Sequence, residues 1–164
     1  MPPITALLHT MNDALRLGRT LEMILPCAEI LIVDHRSVDA TRRIAREYGA
    51  RLVTADQATV NHYLDLARHD WILCMEPGES INENLQASLF EWSVLPSTLP
   101  SNGVGDSSAF SVFLREQIGD KWRDLPAPET RLIPRNWELW QGRLPAREPS
   151  AIALQGAMLR FTVP

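Results

Sequence analysis

The chain has 164 residues, 45% hydrophobic and 22% charged, a composition that excludes a disordered or fibrous protein and suits one globular domain. Sixteen Lys+Arg against twenty Asp+Glu leave a formal charge of −4, so no general basic field exists to draw in nucleic acid or an anionic membrane surface. Most of the twelve Pro follow Leu95, which suggests a regular first part and a looser remainder.

The opening Met1-Pro-Pro-Ile-Thr-Ala-Leu-Leu-His9 lacks the cationic start and long apolar stretch of a signal peptide. No charge-free apolar run approaches the ~18 residues of a membrane helix, so a cytoplasmic location is expected. Cys27 and Cys74 stand far apart beside apolar neighbours, with no Cys-x-x-Cys or Cys/His cluster, which predicts two buried thiols rather than a zinc site. His9, His35, His62 and His69 share no helical metal-binding spacing. Ser37 with a His and an Asp makes a triad only on paper, because no Gly-x-Ser-x-Gly elbow supports it.

In chain order, Ile4 to His9 is a short apolar run. Asn12 then offers an N-cap before Ala14, Leu17, Leu21 and Ile24, which recur at helical spacing. Pro26 ends that helix. Glu29-Ile-Leu-Ile-Val-Asp34 is a continuous aliphatic strand of the kind found in a sheet covered on both faces. A second helix runs to about Tyr48, with Gly49 placed as its C′ residue. A strand at Arg51 to Thr54, a helix from about Gln57 to Arg68 and a strand at Trp71 to Met75 follow. Pro77-Gly78 makes a turn, and Ser80-x-x-Glu83 reads as a capping box opening a helix with Ile81, Leu85, Leu89 and Trp92 inward. Four strand-helix units in succession predict an α/β fold with a mainly parallel, Rossmann-like sheet flanked by helices and joined by right-handed crossovers.

Leu95 to Ser108 is a loop by composition. Beyond it Ala109 to Leu114 and Arg131 to Pro134 are candidate strands, and Ala151 to Phe161 one or two more, interrupted by Gly156. The chain is therefore read as a single domain, with strand-helix units over 1–94, a loop over 95–108, and 109–164 packed on the first part.

In an open parallel sheet, ligands bind at the carboxyl ends of the strands. Those ends carry His9, Thr10 and Asn12; Asp34, His35, Arg36 and Ser37; Thr54 and Asp56; and Glu76 and Glu79. Such a set suits a nucleotide, with a carboxylate for base or ribose and helix N-termini for phosphate. Asn12, Ser37, Asp39 and Ser80 also read as plain helix caps. Asp34 closes the most buried strand, which favours a ligand or loop-tethering role. The first strand leads into His9-Thr-Met-Asn-Asp13 without Gly-x-Gly-x-x-Gly, and no Gly-x-x-x-x-Gly-Lys-Ser/Thr loop occurs, which removes NAD and P-loop chemistry. A response-regulator site also fails, since the third strand ends in Thr54 and the only Lys is Lys121.

Ile4-Thr-Ala-Leu-Leu-His-Thr-Met-Asn12-Asp13, then Ile30-Leu-Ile-Val-Asp34-His-Arg-Ser37-Val-Asp39-Ala-Thr41, then Ala45-Arg-Glu-Tyr-Gly49-Ala50 resembles the opening of the inverting family-two glycosyltransferases of GT-A fold, above all the bacterial lipopolysaccharide-core branch. Asn61, Asp70-Trp71-Ile72-Leu73, Arg131-Leu132-Ile-Pro-Arg135 and Trp140-x-Gly142-x-Leu144 continue the likeness in order. The resemblance implies a GT-A nucleotide-diphospho-sugar transferase-like fold, with 1–94 as the nucleotide-binding part and 109–164 as a shortened acceptor side. It also implies transfer of a sugar from a nucleoside diphosphate sugar to a hydroxyl of a glycan or lipid-linked acceptor, with inversion. Thr10, Asn12, Asp34, Arg36 and Asn61 would bind the nucleotide, Asp34 accepting from the imino group of a base such as uracil, and Asp39 would brace the loop.

The family holds a divalent metal, Mn or Mg, through Asp-x-Asp to neutralise the leaving diphosphate, and deprotonates the acceptor with a carboxylate. Here the corresponding segment is Met75-Glu76-Pro77-Gly78-Glu79. Glu76 and Glu79 are the candidate metal ligands, and Gly78 replaces the principal one. The small Ser-Gly-Ser loop of the family is His35-Arg36-Ser37. The late His-Glu is Pro145-Ala146-Arg147-Glu148, which makes Glu148 the candidate base and Glu138 the weaker one. Three functions fit: a transferase with altered metal ligands, a nucleotide-sugar-binding module without transfer, or a structural subunit. Trp92, Trp137 and Trp140 are open to a core role or to a contact surface in a homo-oligomer.

Overall fold

The computed structural model describes residues 3–24, 27–56, 60–94 and 109–162, with the backbone alone at 60, 61 and 94. The loop expected over 95–108 lies outside the described residues. So does the start of the helix expected from Gln57, of which α3 (Val60–Leu64) is described.

Four strands form the parallel half. β1 (Ile4–Thr10) pairs on one side with β2 (Glu29–Asp34) and on the other with β4 (Trp71–Met75), while β2 pairs with β3 (Arg51–Thr54). All six residues of β2 are buried, the outcome that its unbroken aliphatic run demands of a strand covered on both faces. Alternation along the strands feeds two cores. Ile4, Ala6, Leu8, Ile32 and Leu73 pack beneath α1 (Ala14–Ile24) and α4 (Glu83–Val94), whereas Leu7, Leu31, Val33, Ile72 and Cys74 face Tyr63, Leu64 and Trp137. Each large aliphatic side chain so enclosed contributes about 1.5–3 kcal/mol relative to exposure. α2 (Thr41–Glu47) ends as its sequence predicts, with Gly49 at φ +73° just beyond Tyr48.

The chain beyond residue 108 is more regular than its Pro content suggests. β8 (Glu129–Pro134) runs antiparallel to β4, and β6 (Phe110–Ile118) runs antiparallel to β8. β11 (Ile152–Arg160) lies parallel to β6, and β5 (Glu79–Ile81) is antiparallel to β11. β7 (Lys121–Asp124) forms a hairpin with β6. The result is one nine-stranded mixed sheet with the order β3-β2-β1-β4-β8-β6-β11-β5, β7 lying off β6, beside a separate two-stranded ribbon of β9 (Trp140–Gln141) and β10 (Leu144–Pro145). Trp92 packs edge-on against Trp71 and Phe110, and Trp137 is buried, so these two aromatics serve the core. Cys27 and Cys74 are free, buried thiols, both pushed up to about 12 by burial.

One local expectation changes and one of two alternatives is selected. Ser80 does not cap α4: it is buried in β5, and Asn82 takes the capping position, its Oδ1 accepting from Leu85 N at 2.9 Å. The same Oδ1 accepts from Ala157 N at 3.0 Å, so one amide serves helix and strand together. Gly156 does not split the last strand in two. It makes an irregularity inside β11 with φ +97°, where an added Cβ would stand 2.1 Å from Leu85 N. Only a glycine lets strand and helix start approach so closely.

Candidate functional site

The sheet order places β2 and β3 on one side of β1 and β4 on the other. Chain direction across the sheet therefore reverses between β1 and β4, and loops diverge there to leave a crevice at the carboxyl ends. A cavity of about 240 Å³ lies at that point. His9 enters it from β1, and Asp13 and Arg16 from the turn into α1 and its first residues. Met75, Glu76 and Pro77 follow β4, and Arg143 with Leu144 comes from the β9–β10 ribbon. Gly142, at φ +65°, makes the tight turn that carries Arg143 at its tip.

Loops after β1 and β2 are locked together beside the cavity. Asp34, wholly buried, accepts from Thr10 Oγ1 at 2.8 Å, Ser37 N at 3.0 Å and Ser37 Oγ at 2.5 Å. Asn12 donates its backbone N–H to Ser37 Oγ and accepts from Val38 N through Oδ1, both at 2.9 Å. Asp39 accepts from Ala14 N at the start of α1 and, at its other oxygen, from Thr41 N and Oγ1 at the start of α2. These bonds to Thr41 hold its carboxyl below the ordinary carboxylate range. Thr10, Asn12 and Asp34 thus come together, with their polar atoms bound to one another's loops, and none of them lines the cavity. Arg36 is exposed at φ +58°, a left-handed backbone that costs a residue with a Cβ about 1–2 kcal/mol. Asn61 belongs to α3, and its side chain lies outside what is described.

Above β1, His9 Nδ1 meets His35 Nε2 at 3.0 Å, and Arg143 Nη2 lies 3.4 Å from His35 Nδ1. A guanidinium can only donate. His35 Nδ1 is therefore the acceptor, its Nε2 carries the proton, and His9 Nδ1 accepts it; the tautomers are assigned from this network. Burial first, and then the charges of His35 and Arg143, lowers His9 to about 4. His35 is lowered by burial and by Arg143 against the opposing pull of Asp34.

The acidic residues divide sharply. Glu76 stays in the cavity, its carboxyl raised by burial and by Glu79. Glu79 does not: it is 1% exposed, and Arg131 clamps both its oxygens at 2.9 Å while Arg160 adds 3.1 Å to Oε1. Burial alone would raise Glu79, but Arg131 and Arg160 hold it below its ordinary value. An expected metal ligand is instead the anion of a buried ion-pair network. Glu148 accepts from Ser150 Oγ at 2.7 Å, its backbone is tied to Thr130, and it lies outside the cavity lining, as does Glu138. Gly78 has φ +93°, and an added Cβ would meet Arg16 Cδ at 3.3 Å. The left-handed backbone there does not suit an aspartate. No group of three or more His, Cys, Asp or Glu among the described residues is arranged to hold a metal ion. The donor set does not fit the divalent cation that the sequence resemblance implies, since hard cations require several converging oxygens.

Asp13, Arg16 and Arg143 were not among the site residues expected from sequence. Arg16 follows Asp13 by one helical turn, a spacing that joins them in an ion pair at 2.6 Å, and Arg143 directly follows the turn glycine. Both signals are local, and neither identifies a cavity without the fold.

No family model matches the chain, and no curated protein matches it by sequence. Its structure is similar to that of S. aureus TarS, with TM-score 0.51 and 14% identity over 75% of this chain and 23% of that one. For residues 1–349 of S. aureus TarS in complex with UDP, the TM-score is 0.50 and the identity 14%, over 76% of this chain and 38% of that one. Glucosyl-3-phosphoglycerate synthase from Mycobacterium tuberculosis, in complex with Mn²⁺, UDP and glucosyl-3-phosphoglycerate, gives TM-score 0.48 and 13% identity over 71% of this chain and 44% of that one. This chain spans less than half the length of each. Likeness at this level is a likeness of fold: a mixed α/β architecture around a curled central sheet, of the GT-A glycosyltransferase type. Among the described residues no helix is long and apolar enough to cross a membrane.

Proposed function

We propose that the protein binds a nucleoside diphosphate sugar in the cavity between the ends of β1 and β4 and serves sugar transfer to an acceptor hydroxyl. The observation that carries this reading is the position of the cavity: it opens at the reversal point of a GT-A sheet and has two guanidinium groups in its lining. The reaction is an in-line displacement with inversion. The acceptor oxygen forms a bond to the anomeric carbon, the bond from that carbon to the diphosphate breaks, and the hydroxyl proton passes to a base. Thr10, Asn12, Asp34 and Asp39 act by holding the two loops that frame the nucleotide. The acceptor is a glycan or a lipid-linked glycan of the cell envelope, met at the cytoplasmic side.

A second reading, binding without transfer, is favoured by Glu148. The carboxylate nearest in sequence to the family's base is bonded to Ser150 and stands away from the cavity.

Calorimetric titration with UDP-, GDP- and CDP-sugars, followed by an assay of donor consumption with glycan acceptors, tests both. Binding with consumption of one donor is the expected result. Binding without consumption selects the second reading, and absence of binding by every donor overturns the ligand class itself.

A further inference from the structure

We infer that the cavity neutralises the diphosphate of its ligand with the guanidinium groups of Arg16 and Arg143, in place of a divalent cation; this rests on the nucleoside diphosphate reading above. Three independent pieces of geometry lead there. First, the β4–β5 turn is built around the absence of a carboxylate. Gly78 sits at φ +93°, donates its N–H to Thr20 Oγ1 at 3.0 Å and accepts from Phe161 N at 3.0 Å. The turn is thereby pinned between α1 and the chain after β11 in a conformation that an aspartate would strain.

Second, the space over that turn is already filled by a cation. Arg16 Cδ and Cβ lie 3.3 and 3.9 Å from the point a Cβ of residue 78 would occupy. Its guanidinium is aimed by Asp13, whose Oδ1 accepts from Arg16 Nη2 at 2.6 Å while Oδ2 accepts from Met11 N at 2.8 Å. The Arg16 side chain is 47% exposed, so donors beyond those used on Asp13 are open to a ligand. Third, Arg143 reaches the same cavity from the ribbon turn, and its contact with His35 is a long one. A guanidinium presents a planar fork of donors matched to phosphate oxygens and cannot lose its charge at any working pH.

The charges facing this ligand are few. Asp13 is spent on Arg16 and on a backbone N–H, and His9 and His35 are held toward the neutral form. Glu76 remains, already pushed toward its neutral form by burial and by Glu79.

The test is calorimetric titration of the full chain with UDP, GDP and CDP, in EDTA and again with Mn²⁺, for the wild type, Arg16→Met, Arg143→Met and the charge-conserving Arg16→Lys. Thermal unfolding verifies that each variant folds. In EDTA one of the diphosphates is expected to bind, and Mn²⁺ to alter its affinity by less than about three-fold. Each Met variant should weaken it about ten-fold or more while leaving binding of the parent nucleoside unchanged, and Arg16→Lys should restore part of the loss. Binding that requires Mn²⁺, or equal affinity in wild type and both Met variants, overturns the inference and leaves the ligand class standing. No binding of any diphosphate under either condition overturns the ligand class as well.

Discussion

Arg131 and Glu79 face each other as parallel forks, Nη1 to Oε2 and Nη2 to Oε1, each at 2.9 Å, with both side chains withdrawn from solvent. Arg131 also donates to the Cys74 carbonyl at 3.1 Å and to Glu129 at 2.8 Å. From β8 it therefore ties the end of β4 to the start of β5, on either side of the turn that floors the cavity. Burial opposes both charges, yet Glu79 and Glu129 drive the Arg131 guanidinium above its usual value. Removing Arg131 leaves the buried Glu79 carboxylate with only the longer ion pair to Arg160 among the described residues. Arg131→Met should cost about 3–5 kcal/mol, and pairing it with Glu79→Leu should return most of that loss. Urea unfolding of the single and double variants measures this, and a single-variant loss under about 1 kcal/mol would contradict it.

Gly156 and Gly119 make a matched comparison. Both have positive φ, +97° and +59°, but an added Cβ meets Leu85 backbone at 2.1 Å in the first case and nothing within 4 Å in the second. Gly119→Ala should cost about 1 kcal/mol from backbone strain alone. Gly156→Ala adds a collision with a helix start that cannot move without breaking the Asn82 bonds, and should cost about 3 kcal/mol or more. Similar losses for the two in chemical unfolding would refute the close approach of β11 to α4.

Arg36 occupies a left-handed position, φ +58°, in the loop after β2. Arg36→Gly relieves strain in the folded state but frees the unfolded chain, and the balance should stabilise the protein by about 0.5–1 kcal/mol. A fall in the unfolding midpoint would mean that the exposed side chain makes a contact worth more than the strain.

His9 predicts a specific acid sensitivity. Its folded value is lowered from 6.5 to about 4, so between those limits the unfolded chain binds a proton that the folded chain refuses. Its contribution is complete above about pH 6.5 and lost as pH falls toward 4, by on the order of 3 kcal/mol at most. Glu79, held below its ordinary value by Arg131, adds a separate loss that begins only below about pH 4.5. Unfolding free energies of wild type and His9→Gln between pH 7 and 4.5 should converge as the medium acidifies. Parallel curves would show that His9 titrates normally.

The parallel half was readable because its signals are local and repeated. Glu29 to Asp34 is aliphatic at every position but its ends, and Gly49 marks the close of α2, so strand, helix and boundary agree. The later strands were harder to read. Trp140–Gln141 and Leu144–Pro145 are two residues each, too short for any periodicity. Lys121–Asp124, charged at every position but Trp122, is held by cross-strand pairs such as Arg123 with Glu116 rather than by burial. Motif order pointed to the loops of Asn12, Asp34 and Asp39, which the fold bonds to one another. It could not tell a carboxylate that faces a ligand from one that faces Arg131, because Glu79 and Glu76 are alike in sequence and differ only in what β8 brings against them.

Asp39 has a dynamic consequence. It accepts backbone N–H groups from the first residues of both α1 and α2, and Thr41 Oγ1 in turn accepts from Asp13 N at 2.8 Å. The β1–α1 and β2–α2 loops are therefore riveted at a shared point. A ligand that needs more room at this end of the sheet cannot displace one loop and leave the other at rest. Opening is a single concerted event, and relaxation measured at Asn12 and at Val38 should report the same exchange rate.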